Sequence, residues 1–225
     1  MNLGHLAISC DNKLFIPVDV PGDGNCLYRA LAMSDLIPVS DSTTFRSNLS
    51  LRTKTLLNND SSQGRHIRNY FNNNEKSLEG ESIENYIDCN MGVSGKWGST
   101  FEMICVSIIY GVRIISIANM TGGFLVSDTL SLLNAFNIDF DYSAMLDRYI
   151  YLYCHLYKAP TTPCPQDIQL NHFAYLEVIE ELPKDSKRQI YFGDSRENDN
   201  SVKIEYPSSF PSYSDDTFST MVSSV

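Results

Sequence analysis

The run Asp19-Val20-Pro21-Gly22-Asp23-Gly24-Asn25-Cys26-Leu27-Tyr28-Arg29-Ala30-Leu31 constrains this chain more than any other stretch. Its first half is a dense cluster of turn formers. Gly22 and Gly24 take positive φ without steric cost, and Asp23 and Asn25 fold their side chains onto nearby backbone N–H groups. From Cys26 on, strong helix formers and the apolar residues Leu27, Ala30 and Leu31 predict a helix that runs to about Leu36, ahead of Pro38. The helix therefore starts with a cysteine. A thiol there feels the positive end of the macrodipole and the unpaired first-turn N–H groups, which favours its thiolate. The thiolate is the nucleophilic form, and the same N–H groups suit an oxyanion formed when the sulfur attacks a carbonyl.

The rest of the chain supplies the frame. Residues 1–13 are poorly patterned and read as a lead-in. Leu14–Val18 is a short extended segment, with Pro17 pointing to an edge or loop position. Ser42 or Thr43 is placed to cap a helix carrying Phe45, Leu49, Leu56 and Leu57. His66–Phe71 reads as a short helical piece. Ser82–Met91 sets Ile83, Tyr86, Ile87 and Met91 on one helical face. Ser99-Thr100-Phe101-Glu102 has capping-box form and opens a nearly all-apolar helix to Tyr110, ended by Gly111. Strands are expected over Val112–Ala118, Phe124–Val126, Tyr149–Tyr157 and Asn171–Ile179, with His172 near the start of the last, and Ile190–Phe192 is expected as an edge strand. Thr129–Met145 fits neither period cleanly. A helical first half followed by strands is an α+β pattern, with a small central β-sheet packed between helices. The 225 residues divide into the lead-in, one domain over 14–193, and a Ser- and Asp-rich tail over 194–225 that is expected to be disordered.

Composition narrows the chemistry. A formal net charge of −10 argues against a nucleic-acid partner, which needs clustered Lys and Arg. No apolar run is long enough for a membrane span, and no basic-then-apolar signal opens the sequence. None of the six cysteines forms a C-x-x-C pair, so no zinc site and no other metal or cofactor is expected. Free thiols point to a reducing compartment, the cytoplasm, whether the chain's own cell or a host cell.

Three segments together carry a resemblance. Asp23-Gly24-Asn25-Cys26-Leu27-Tyr28-Arg29-Ala30 resembles the signature of the ovarian-tumour (OTU) family of cysteine proteases. Asn171-His172-Phe173 is similar to the segment where that family places its catalytic histidine before an aromatic. Trp97-Gly98, followed by an apolar helix and a strand, is the third. The three span roughly residues 15 to 180. The resemblance implies Cys26 as nucleophile and His172 as base. Of the other histidines, His5 and His66 read as surface residues, and His155, inside a strand, competes with His172. Asp23 stands where the family often places a member of the catalytic set, and equally well as a turn residue that holds the loop. Gly24 and Asn25 would shape the oxyanion hole, with the Asn25 and Cys26 amides as donors.

This sequence departs from the pattern two positions after the histidine. Many family members carry an acidic or amide residue there that orients the ring, and Ala174 cannot do so. Asp19 and Asn171 are the other candidates for that orienting role. Trp97, the only tryptophan, reads as a core residue, whereas the resemblance sets it near the substrate channel. The implied function is a deubiquitinating thiol protease that cleaves after the C-terminus of ubiquitin. Its partners would be ubiquitin, polyubiquitin or ubiquitin-like conjugates, met by a monomer. The alternative raised by Ala174 is a catalytically weak or inactive ubiquitin-binding module. A papain-like protease or an acyltransferase of another family fits the cysteine-early, histidine-late order, but its C-G-[SA]-C-[WY] pattern is absent.

Overall fold

Two short strands come first, most of the helices follow, and strands dominate the second half of the described residues. The computed structural model describes residues 6–10, 12–39, 41–73, 82–120, 123–135, 141–158, 168–182, 189–192 and 204–205. Strands β1 (Leu6–Cys10) and β2 (Lys13–Val18) form a hairpin. Helices α1 (Cys26–Ala32), α2 (Ser42–Asn58), α3 (Ser62–Asn73) and α4 (Ile83–Tyr86) follow, and α4 runs on into a π-helical turn over Ile87–Met91. Helix α5 (Thr100–Tyr110) leads to β3 (Arg113–Met120), β4 (Gly123–Asp128) and α6 (Thr129–Ala135). The chain continues through a 3-10 turn at Ser143–Met145, β5 (Tyr149–Lys158), β6 (Ile168–Glu181), β7 (Gln189–Phe192) and β8 (Ile204–Glu205). No helix among the described residues is long and apolar enough to cross a membrane.

Local chemistry accounts for most element ends. Ser99 and Glu102 form the expected capping box: the Ser99 N–H donates to Glu102 Oε2 at 2.6 Å, and the Ser99 hydroxyl accepts from the Phe101 N–H at 3.1 Å. Gly111 ends α5 in the left-handed region at φ 61°. The cap of α2 is not Ser42 or Thr43 but Asp41, whose Oδ2 accepts the Thr44 N–H at 2.7 Å. A carboxylate one residue earlier outcompetes either hydroxyl because it also meets the positive end of the helix dipole.

The strands form one eight-stranded sheet in the order β4-β3-β5-β6-β2-β1-β7-β8. Among the described residues only β3 and β5 run parallel; the other pairs are antiparallel. Period-two alternation splits the buried side chains between two faces. Ile114, Leu152, Cys154 and Phe173 join the main core with α1 to α6. Ile115, Ile117, Tyr151, Tyr153, Ala174 and Leu176 form a second core with Ile8 and Phe15. The class is therefore α+β.

The lead-in over 1–13 is more than a lead-in. Within it β1 pairs with β2 on one side and β7 on the other, and Ile8, like Phe15 of β2, is fully buried. Each such side chain stabilises the fold by about 2–3 kcal/mol. Five residues are too few for periodicity alone to reveal a strand, and one of its two partners, β7, lies far away in sequence. Pro17 keeps an edge-like place inside the sheet, since β1 pairs with Lys13–Phe15 and stops short of it. Strand β7 is not the edge, because β8 pairs with it. The rest of the tail from residue 194 lies outside the described residues.

Candidate active site

Helix α1 is seven residues long, shorter than the expected span to Leu36. Its first residue, Cys26, is 1% exposed. The sulfur sits over β6, where the main chain of Phe173 stabilises its anion, and it interacts with Cys154 on β5. Phe173 and Cys154 are cross-strand partners, so the start of α1 rests on that pair.

Burial pushes the Cys26 thiol above its ordinary value. The main-chain groups of Phe173, Leu27 and Cys26 itself pull the other way, and Asp23 adds to the rise. This corrects the expectation of a thiolate favoured by the helix start. Two turns of helix with no side-chain cap from Asn25 make a weak dipole, and desolvation outweighs it. The resting sulfur is a thiol and needs a base. In His172→Ala, iodoacetamide labelling of the Cys26 peptide should accordingly climb with pH to a midpoint above that of an exposed cysteine. A midpoint at neutral pH would contradict this electrostatic account.

His172, 8% exposed, directly precedes Phe173 in β6, the residue whose main chain meets the Cys26 sulfur. It pairs across the sheet with His155 on β5. The register then jumps to Leu156–Leu170, which leaves Asn171 as the extra residue of a β-bulge. Such a bulge re-aims the neighbouring side chain. The side chain of Asn171 itself lies outside the described residues. His172 Nε2 meets Asp19 Oδ1 at 2.5 Å across 153 residues of sequence. Asp19 arrives there because β2 pairs with β6 up to Val18–Tyr175, so the next residue leaves the strand alongside Ala174. A neighbouring strand thus delivers a carboxylate to the ring where the sequence of β6 provides only a methyl group. A carboxylate on Nε2 keeps the proton on that nitrogen and leaves the Nδ1 lone pair to accept another. Nδ1 faces the glycine loop: a Cβ on Gly22 would lie 3.2 Å from it.

Asp23 is engaged elsewhere. Its carboxylate makes a two-pronged ion pair with Arg29, Nη2 to Oδ2 at 2.6 Å, and Oδ1 also accepts the Asn25 N–H at 3.2 Å. The Arg29 guanidinium holds the Asp23 carboxyl down at about 2. Arg29 also donates to the Pro21 carbonyl. The carboxylate therefore ties the loop and does not approach His172. It also occupies the Asn25 amide, one of the two expected oxyanion donors. The Cys26 amide is directed at its own sulfur, while the Asn25 carbonyl is drawn into the helix by the Arg29 N–H at 2.9 Å.

A second loop, Gly92–Gly98, leans against the first. Asn25 Nδ2 donates to Ser94 Oγ at 3.2 Å, and Asn25 Oδ1 accepts the Gly95 N–H at 3.2 Å. Trp97 on this loop is 46% exposed, which corrects its reading as a core residue. Beneath both loops lies Arg46, 1% exposed, which the sequence reading did not single out. The available signal was a cation on the helical stripe it shares with the buried Leu49, Ser50, Thr53 and Leu57. Among the described residues no group of His, Cys, Asp and Glu side chains is arranged to hold a metal ion.

The sequence matches the model of the family described as OTU-like cysteine protease over residues 21–158. No curated protein matches it. Among solved structures, the chain is similar to the Hazara virus OTU bound to ubiquitin, at 18% identity over 74% of this chain and 82% of that one, with a TM-score of 0.42. It is similar to the viral OTU domain protease from Taggert virus, at 17% identity over 81% and 95%, with a TM-score of 0.43. The viral OTU domain protease from Dera Ghazi Khan virus stands at 13% identity over 80% and 86%, with a TM-score of 0.46.

Proposed function

Because this chain belongs to the family of OTU-like cysteine proteases, we propose that it is a deubiquitinase in which Cys26 is the nucleophile, His172 the base and Asp19 the group that orients the base. The observation that carries the reading is the 2.5 Å contact between Asp19 and His172, made next to the strand pair on which Cys26 rests. His172 Nδ1 takes the thiol proton as the sulfur attacks the carbonyl carbon of ubiquitin's last residue. The Cys26 amide donates to the oxyanion. His172 then returns its proton to the leaving amine, and the acyl group stays on sulfur as a thioester. Water, giving up a proton to the same nitrogen, releases the ubiquitin carboxylate and restores the thiol.

A thiol whose pKa is raised by burial suits this sequence of steps, since the base must act during attack and not before it. Asp19 also weakens the case for a binding-only module, which rested on Ala174. The described cysteines Cys10, Cys26, Cys89, Cys105 and Cys154 are all free thiols, in keeping with work in the reducing cytoplasm. The test is a ubiquitin carrying an electrophile at its C-terminus. Wild-type protein should be labelled and Cys26→Ala should not. Labelling of both, or of neither when a full set of diubiquitin linkages is also left uncut, would defeat the proposal.

A further inference from the structure

Arg46 is a buried cation with every arm committed. Its Nε donates to the Met91 carbonyl at 2.8 Å and its Nη2 to the Asn90 carbonyl at 2.8 Å. Its Nη1 donates to Asn25 Oδ1 at 2.9 Å and to the Gly24 carbonyl at 3.2 Å. The guanidinium carbon lies 4.2 Å from the centre of the Tyr28 ring. Among the described residues no carboxylate forms an ion pair with it. One side chain on α2 thus joins the end of the π-helical turn to the residues just before Cys26.

Burying a charge with no counter-ion is expensive, and a neutral amide would join two loops at lower cost. The placement suggests what the charge is for. Drawing the Gly24 carbonyl and the Asn25 side chain inward fixes the segment that precedes the Cys26 amide. The positive charge also lies beneath the loop on which an oxyanion would form, in surroundings of low dielectric. Building on the deubiquitinase reading, we infer that Arg46 is a positioning residue for oxyanion stabilisation, acting through the Gly24–Asn25 loop and not on the thiol.

Two reactions of the same sulfur separate this from a structural tie. Hydrolysis of a fluorogenic amide at the ubiquitin C-terminus passes through an oxyanion, whereas alkylation by iodoacetamide does not. Arg46→Met should lower kcat for the ubiquitin substrate about 100-fold, the order seen when one oxyanion donor is lost. KM should stay within about threefold and the alkylation rate of Cys26 within about twofold, both far below that 100-fold loss. If Arg46→Met does not fold, Arg46→Lys carries the same comparison. It keeps the charge without the planar fork and should lose about tenfold in kcat with alkylation unchanged. A parallel fall in both reactions, or no fall in either, overturns the inference. Wild-type protein that turns over no ubiquitin substrate overturns the parent reading and this one with it.

Discussion

Asp19→Ala is expected to lower kcat on a ubiquitin-derived substrate by about 10³-fold, near 4 kcal/mol of transition-state stabilisation. The residue makes one contact that bears on the chemistry, with His172 Nε2 at 2.5 Å. Without it the ring is free to place its proton on Nδ1, the nitrogen that takes the thiol proton in the proposed mechanism, and to change its orientation. In the proposed function the substrate's binding energy comes from contacts away from the ring, so KM should move little. Asp19→Asn, whose amide oxygen still accepts from Nε2, should lose less. Asp23→Ala provides the contrast. Removing that carboxylate breaks the pairing with Arg29 and frees the Asn25 amide, which loosens the loop but leaves the imidazole oriented. A loss of about tenfold is expected there, since loop and position effects fall short of losing the base's tautomer. If Asp23→Ala proves the more damaging of the two, the orienting residue has been assigned wrongly.

The largest stability effect is expected at Gly24. Its φ of 80° belongs to the left-handed region, and a Cβ there would stand 1.9 Å from the Gly95 carbonyl oxygen and 2.4 Å from the carbonyl carbon. Both are main-chain atoms, so no rotamer change relieves the overlap. The backbone conformation alone costs an alanine about 1–2 kcal/mol. Parting the two loops adds the loss of the Asn25 contacts to Ser94 and Gly95, at about 1 kcal/mol each. Gly24→Ala should therefore destabilise the fold by about 3 kcal/mol or more, seen as a fall of about 6–12 °C in Tm for a domain of this size. Gly22→Ala, two residues closer to His172's Asp19 partner, behaves differently. Its Cβ meets a side chain, His172 Nδ1, at 3.2 Å. Its Tm should hold while turnover falls. A Gly24→Ala protein with wild-type Tm would mean that the two loops do not pack as described.

These outcomes depend on features of very different range along the chain. The turn cluster before Cys26, the Ser99–Glu102 box and the Gly111 cap were readable because each is settled within a few residues by backbone geometry and nearby hydrogen bonds. The strands from residue 112 on were readable from β-branched, apolar runs and, in β6, from alternation, although β6 runs from Ile168 to Glu181, well beyond the segment expected. Cys26 and His172 were legible only as candidates, through short motifs whose spacing says nothing about distance in space.

The amino-acid order alone determined the turn before Cys26, the start and end of α5, and that a cysteine heads α1, because those choices are made by local sterics and capping. Folding decided the rest. The register of β2 on β6 brings Asp19 to His172, the packing of the glycine loops turns Trp97 outward, and enclosure of α1 keeps the Cys26 sulfur protonated. Arg46 belongs to the same group, a surface-type residue by composition that becomes a buried brace once two loops close over it. Each of these depends on which distant segments share a face and on how much water is removed between them. Neither quantity is a property of neighbouring residues; both emerge only when the sheet and helices have packed.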